Sequence, residues 1–132
     1  MYRLVYISTP KRALGSDELL TILAAATKNN RRNEITGILI QDHKRFLQYL
    51  EGSEDKVEET FARISADPRH FAISRLKSGS IERRQFPGWS MASKTVDQCN
   101  SLRDAVSELV KDCDRDVAAE LLSFAEARDR AG

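Results

Sequence analysis

The chain is poor in cysteine, almost neutral and free of long apolar runs, and each lack removes a class of function. Its two cysteines, Cys99 and Cys113, stand fourteen residues apart in a charged helical region, with no Cys-x-x-Cys or Cys/His ligand spacing. That argues against a disulfide framework and for free thiols in a reducing compartment. No apolar run approaches the roughly 20 residues of a membrane span, and the first residues lack a secretory h-region, so a cytoplasmic protein with no membrane partner is expected. Twenty-one basic against twenty acidic side chains leave a net charge of +1. No global field draws nucleic acid, and the local clusters, Lys28 to Arg32 and Arg83-Arg84, read as solvated surface or a seat for one phosphate. The two histidines, His43 and His70, have no carboxylate or cysteine at ligand spacing, so no metal is expected. There is no Ser/His/Asp arrangement, and the basic residues are scattered, which leaves little for catalysis on a substrate.

What remains is the composition of an ordinary globular domain, 41% hydrophobic and 31% charged over 132 residues, long enough for one core. Tyr2 to Ser8 is rich in β-branched and aromatic residues and ends at Thr9-Pro10, a first strand. Tyr2, Leu4, Tyr6 and Ser8 share one face of it; Arg3, Val5 and Ile7 share the other. Ser16 opens an amphipathic helix that runs to about Asn29. After a polar turn over residues 29–33, Ile35 to Gln41 forms a strand that is apolar on both faces, and a short turn leads directly into Phe46 to Gly52, making an antiparallel hairpin. A second helix starts near Ser53, carries Val57, Phe61 and Ile64 at helical spacing, and stops at Asp67-Pro68. Phe71 to Leu76 is a fourth strand, Arg83 to Gly88 a connection, and Trp89 to Ser93 a fifth strand.

This order predicts an α+β fold, a ferredoxin-like βαββαβ plan with one added strand, in which the first and third strands lie side by side and parallel at the centre of a mixed five-stranded sheet. From Asp97 the pattern changes. Leu102, Ala105, Val106, Leu109 and Val110 form one stripe and Val117, Leu121, Leu122 and Phe124 another, two helices broken near residues 112–116. Strands with two apolar faces need cover on both sides, and the crossover helices cover one, so the C-terminal helices are expected on the other. Residues 1–94 then form one domain and 95–132 a helical extension packed on the sheet or on a partner.

One residue does not fit an apolar layer. At period two, Phe46, Gln48 and Leu50 point to one side of the third strand, and Leu47, Tyr49 and Glu51 to the other. A buried Gln48 amide left unpaired would cost roughly 1–3 kcal/mol, so it must have a partner. The polar tip of Tyr6 on the neighbouring strand is the candidate.

With these residues in place the sequence resembles the BLUF family of small blue-light sensors that use a bound flavin. The resemblance is carried by Leu4-Val5-Tyr6-Ile7-Ser8, by Asn29-Asn30 leading to Ile35-Thr36-Gly37, by Phe46-Leu47-Gln48-Tyr49-Leu50-Glu51-Gly52, by Asp67-Pro68-Arg69-His70 and by Trp89-Ser90-Met91, in that order over about residues 1–94. One departure is Glu34, where the family commonly has glycine before Ile-Thr-Gly; it bears on the geometry of that turn.

The resemblance implies FAD, or FMN, with its isoalloxazine ring between the two crossover helices. Ile22, Leu23 and Ile64 would wall the ring and Asn30 pair with its polar edge, with Asn29 a weaker contact. Arg63, Asp67, Arg69 and His70 would neighbour the ribityl, phosphate or ring edge. It also implies that Tyr6 donates an electron and then a proton to the excited flavin. Gln48 then rotates or tautomerises, and Trp89 and Met91 sense the change and pass it to the fifth strand and C-terminal helices. The output would go to a downstream protein or through a homodimer, since only about forty residues follow residue 94.

Singly, each residue has a plainer role. Tyr6 fits a core tyrosine, Gln48 an amide bonded to backbone, Trp89 and Met91 packing, and Asn29-Asn30 a helix C-cap. The competing functions are a ferredoxin-like interaction or ligand-binding module without flavin photochemistry, and a small enzyme of the same fold.

Overall fold

The computed structural model describes residues 1–10, 16–41, 46–66, 70–88, 92–95 and 101–131. In chain order the elements are β1 (Tyr2–Pro10), α1 (Ser16–Arg32), β2 (Thr36–Gln41), β3 (Phe46–Gly52), α2 (Glu54–Ser65), β4 (His70–Ser80), β5 (Ala92–Thr95), α3 (Leu102–Leu109) and α4 (Arg115–Ala131). The sheet order is β4-β1-β3-β2-β5. Of the stretch expected as the last strand, Trp89, Ser90 and Met91 lie outside the described residues.

The expected parallel pairing of β1 and β3 is overturned. They run antiparallel, with Tyr2 opposite Gly52, Leu4 opposite Leu50 and Tyr6 opposite Gln48. A βαβ crossover leaves β1 and β2 pointing the same way, and the tight hairpin then reverses the chain, so a β3 inserted between them must oppose both. β2 and β3 are antiparallel, as are β1 and β4, while β5 runs parallel to β2. Gly37, opposite Leu50, lets β2 and β3 approach: a Cβ there would lie 2.0 Å from the carbonyl oxygen of Tyr49.

Every residue of β3 is buried, and its two faces feed two cores. Leu4, Tyr6 and Leu50 pack with Ile35 and with Val57, Phe61 and Ile64. Through the opposite face, Val5, Ile38, Ile40, Leu47 and Tyr49 pack with Leu102, Ala105, Val106, Val110, Val117, Leu121 and Ala125. The C-terminal helices therefore bury the face that α2 does not. Each fully buried aliphatic side chain contributes roughly 1.5–3 kcal/mol. An ion pair between Arg3 and Glu120, with a hydrogen bond from Nη2 to Oε2 at 3.0 Å, ties β1 to α4. The helix pair is closed by its own ends, because Asp129 accepts from the amides of Leu102 (3.0 Å) and Arg103 (3.1 Å) at the start of α3.

Helix α1 runs three residues beyond its expected end and stops in a Schellman motif. The Ile35 amide donates to the carbonyl of Asn30 (2.8 Å) and that of Glu34 to Arg31 (3.3 Å). That motif requires a left-handed residue, and Glu34, at φ 57°, supplies it. A side chain in this region is strained by roughly 1–2 kcal/mol, offset in part by the extra flexibility of glycine in the unfolded chain. Glu34→Gly is expected to stabilise the fold by about 0.5–1 kcal/mol in a denaturant titration. A loss of stability would show that the Glu34 side chain is used elsewhere.

Candidate functional site

The antiparallel register settles what strand parity alone left open. Residues directly opposed on neighbouring strands project to the same face within reach of each other, so the pairing of Tyr6 with Gln48 puts both side chains on the α2 side of the sheet. There the Tyr6 hydroxyl donates to Gln48 Oε1. Tyr6 is 2% exposed and Gln48 5%. With Oε1 turned to the phenol, the amide nitrogen of Gln48 is turned to the other side. Phe61 fixes the Tyr6 ring, the centroids lying 5.2 Å apart at 59°, and Arg75 lies 4.9 Å over the other partner, Phe61.

Burial pushes the Tyr6 phenol well above its usual range. Burial first, then the charge and hydrogen bond of Glu51, do the same to Tyr49. The Cys113 thiol is pushed up to about 12, mainly by burial, with Glu51 and Asp114 adding to it. All three groups stay protonated at pH values where the unfolded chain ionises, near 9 for Cys and 10 for Tyr. Their contribution to stability is whole below those values and is lost as pH rises, at about 1.4 kcal/mol per unit for each group. The denaturant midpoint is expected to fall steeply above pH 10, with tyrosinate absorbance from Tyr6 and Tyr49 appearing with unfolding. A pre-unfolding titration of all three tyrosines would contradict it.

The helix layer above this pair carries the residue types that a flavin ring needs. By the right-handed rule for βαβ crossovers, α1 belongs over the same face. Yet among the described residues no apolar side chain of α1 joins either buried cluster. Ile22, Leu23 and Ala26 are half-buried and Leu20 is exposed. Apolar side chains of an amphipathic helix that are not part of the described buried core can offer aliphatic walls to a flat apolar body. Asn30, 2% exposed at the last turn of α1, brings a buried amide to that layer, and Ile64 packs with the Tyr6 cluster. Aliphatic walls with a few fixed amides are what a flavin ring requires, so the residues present fit the group.

Other expected residues are placed differently. Asn29 is half-buried, and its carbonyl accepts from Asn33 (3.1 Å). Arg63 is exposed on α2 and reaches Thr60 Oγ1 at 3.4 Å. His70 opens β4 opposite Pro10. Asp67, Arg69, Trp89 and Met91 lie outside the described residues, so nothing places them against the site. Among the described residues no group of three or more His, Cys, Asp and Glu is arranged to hold a metal, and no helix is long and apolar enough to cross a membrane. A cavity of about 530 Å³ lies at the start of α4, lined by Arg3, Arg83, Asp114 and Glu120 among others. It is away from Tyr6 and Gln48, and four of its charges form two pairs, Arg3 with Glu120 and Arg83 with Asp114.

Sequence reasoning missed the role of Glu51, which it placed only on the face of Leu47 and Tyr49. It is 0% exposed. Oε1 accepts from Tyr49 Oη (3.0 Å) and the Gln85 amide (2.8 Å), and Oε2 from Thr36 Oγ1 (2.8 Å) and the Phe86 amide (2.8 Å). Arg84 adds a bond to Thr36 Oγ1 (3.0 Å) and one to the Glu34 carbonyl (2.6 Å). The connection after β4 is thus stapled to β2 and β3. The signal was present: parity puts a carboxyl group in the layer of Leu47 and Tyr49.

Known proteins are similar to this chain in sequence and in fold. Residues 1–92 match the family described as BLUF, sensors of blue-light using FAD. Over 112 residues, 82% of the chain, the sequence is 33% identical to photoactivated adenylate cyclase subunit beta of Euglena gracilis, and the chain spans 13% of that protein's length. The dark-state structure of BlrB, a BLUF protein, is similar with a TM-score of 0.75 at 32% identity over 96% of both chains. Klebsiella pneumoniae BlrP1 with FMN and cyclic diGMP gives a TM-score of 0.74 at 27% identity, covering 92% of this chain and 34% of that one. With a buried Tyr6–Gln48 pair beneath the helix layer, the chain belongs to the BLUF family and is a flavin-using sensor of blue light.

Proposed function

We propose that residues 1–94 form the light-sensing unit and residues 95–132 its output element, that the flavin is FAD, and that the chain signals without catalysing a reaction on a substrate. The observation that carries the reading is the buried hydrogen bond from Tyr6 to Gln48. Ile22, Leu23 and Ile64 would wall the ring, Asn30 and Gln48 would meet its polar edge with Asn29 beside them, and Arg63, Asp67, Arg69 and His70 would serve the ribityl and phosphate end. Bound and excited by blue light, the flavin supplies a strong oxidant. Tyr6 would be the reductant: it is buried, and on losing an electron its proton could leave only toward a hydrogen-bonded acceptor. Gln48 Oε1 is that acceptor. When electron and proton return to Tyr6, Gln48 keeps a changed set of hydrogen bonds, by rotation or tautomerisation of an amide that offers a donor end and an acceptor end. Trp89 and Met91 then relay the change toward β5 and the C-terminal helices, to a partner protein in the cytoplasm or a second copy of the chain.

FAD rests on the family description, and FMN stands in the BlrP1 structure. Purified protein is expected to be yellow and to release FAD on heating, identified by chromatography; FMN alone would change the cofactor assignment. A colourless protein that takes up neither flavin would overturn the reading. Capture of a partner from a lysate in light against darkness tests the output.

A further inference from the structure

Among the described residues, Gln85 joins the strand that carries Gln48 to the helices that carry the output. It is 4% exposed, and its backbone and side chain both reach outward. Its amide donates to Glu51 Oε1 on β3 (2.8 Å), and its carbonyl accepts from Cys113 Sγ (3.8 Å). Its side-chain Nε2 donates to Asp114 Oδ2 (3.0 Å) and the Arg83 carbonyl (3.0 Å), and Oε1 accepts from the Asp114 amide (2.6 Å). Asp114 stands at the head of α4, its carbonyl accepting from Ala118 (2.9 Å). On one side of Gln85 is therefore β3, and on the other the start of α4.

We propose that Gln85 is a positioning residue that transmits a displacement of β3 to the N-terminus of α4. The inference rests on the photoreceptor reading and adds a route to it. Glu51 lies three residues beyond Gln48 on the same fully buried strand and faces the opposite layer, so a shift that begins at Gln48 on the flavin side moves the Glu51 carboxyl group on the helix side. The apolar contacts between sheet and helices, such as Tyr49 on Phe86 with centroids 5.2 Å apart, are non-directional and absorb small slips. Hydrogen bonds weaken steeply with distance and angle. A sub-ångström movement is therefore felt first along Glu51, Gln85 and Asp114. The staple supplies the physical link that coupling requires beyond proximity.

The test uses flavin-loaded full chain and reads two signals: the light-induced red shift of the flavin band, and the light-minus-dark change in amide hydrogen exchange across residues 113–120. Wild type is expected to show both. Gln85→Met, close in volume, is expected to keep the red shift and lose the exchange change. The double variant Q85E/D114N, in which the side chain at 85 accepts from the new amide at 114 and from its backbone N–H but loses the bond to the Arg83 carbonyl, is expected to recover part of it, which a loss of folding could not explain. A wild-type exchange difference in Gln85→Met overturns the inference, as does a wild type that red-shifts with no change across 113–120. A wild type with bound flavin and no red shift overturns the photoreceptor reading, and this inference with it.

Discussion

Gln48→Leu is expected to abolish the light-induced red shift while flavin remains bound, and Tyr6→Phe is expected to do the same. Each removes one end of a single buried hydrogen bond. Leucine keeps the bulk of Gln48 but offers no donor or acceptor, so no rearrangement is available to it. Phenylalanine keeps the ring against Phe61, at 5.2 Å, but has no proton to pass and is a poorer reductant. Flavin binding rests on walls and amides beyond this pair, so it survives. Each variant also leaves a buried polar group without this partner, costing roughly 1–3 kcal/mol. In the double variant Y6F/Q48L both partners of the bond are gone, so its destabilisation is expected to be less than the sum of the two. Absorbance under blue light and denaturant unfolding in darkness read the two effects. A normal shift in either single variant would contradict the assignment of roles.

The second large effect concerns stability. Glu51→Ala is expected to destabilise the protein by about 4 kcal/mol or more, because four donors lose their acceptor at once. Two of those donors are consecutive backbone amides, Gln85 and Phe86, both buried, and a backbone N–H cannot turn away from its position. Against a typical domain stability of roughly 5–15 kcal/mol, such a loss brings the protein near its threshold. Glu51→Gln should lose less, since one oxygen survives, although its NH2 must then face a donor. Denaturant midpoints in the dark give the order wild type, Gln, Ala. A loss below about 1 kcal/mol for Ala would mean that the four bonds are replaced by water.

The pattern of which parts were legible follows from the range of the interactions. Strand parity is local, so the division of β1 into Tyr2, Leu4, Tyr6 on one side and Arg3, Val5, Ile7 on the other could be read directly, and the two cores follow it. The apolar stripes after residue 101 likewise announced a helix pair, although its break, expected near residues 112–116, lies at 110–114. Strand direction was misjudged because it depends on composing two connections, a crossover and a hairpin, and only their combination makes β3 oppose β1. β4 reaches Ser80 although Lys77, Ser78, Gly79 and Ser80 have little strand preference, since pairing with Tyr2 to Val5 outweighs propensity. Gln48 was found because an amide in an apolar layer demands a partner, and its partner Tyr6 lay in a recognised strand. Glu51 demanded one equally, but its partners stand up to 35 residues downstream in an irregular connection, where no periodicity points back to the strand.

The most direct measurement is the light-minus-dark absorption spectrum of the purified, flavin-loaded wild-type protein. A red shift of the flavin band under blue light that reverses fully in darkness, with no bleaching, is expected from a pair that rearranges its hydrogen bonds and returns every electron and proton. A flavin-loaded protein whose spectrum is unchanged by blue light, or is permanently bleached by it, would contradict a reversible switch at Tyr6 and Gln48.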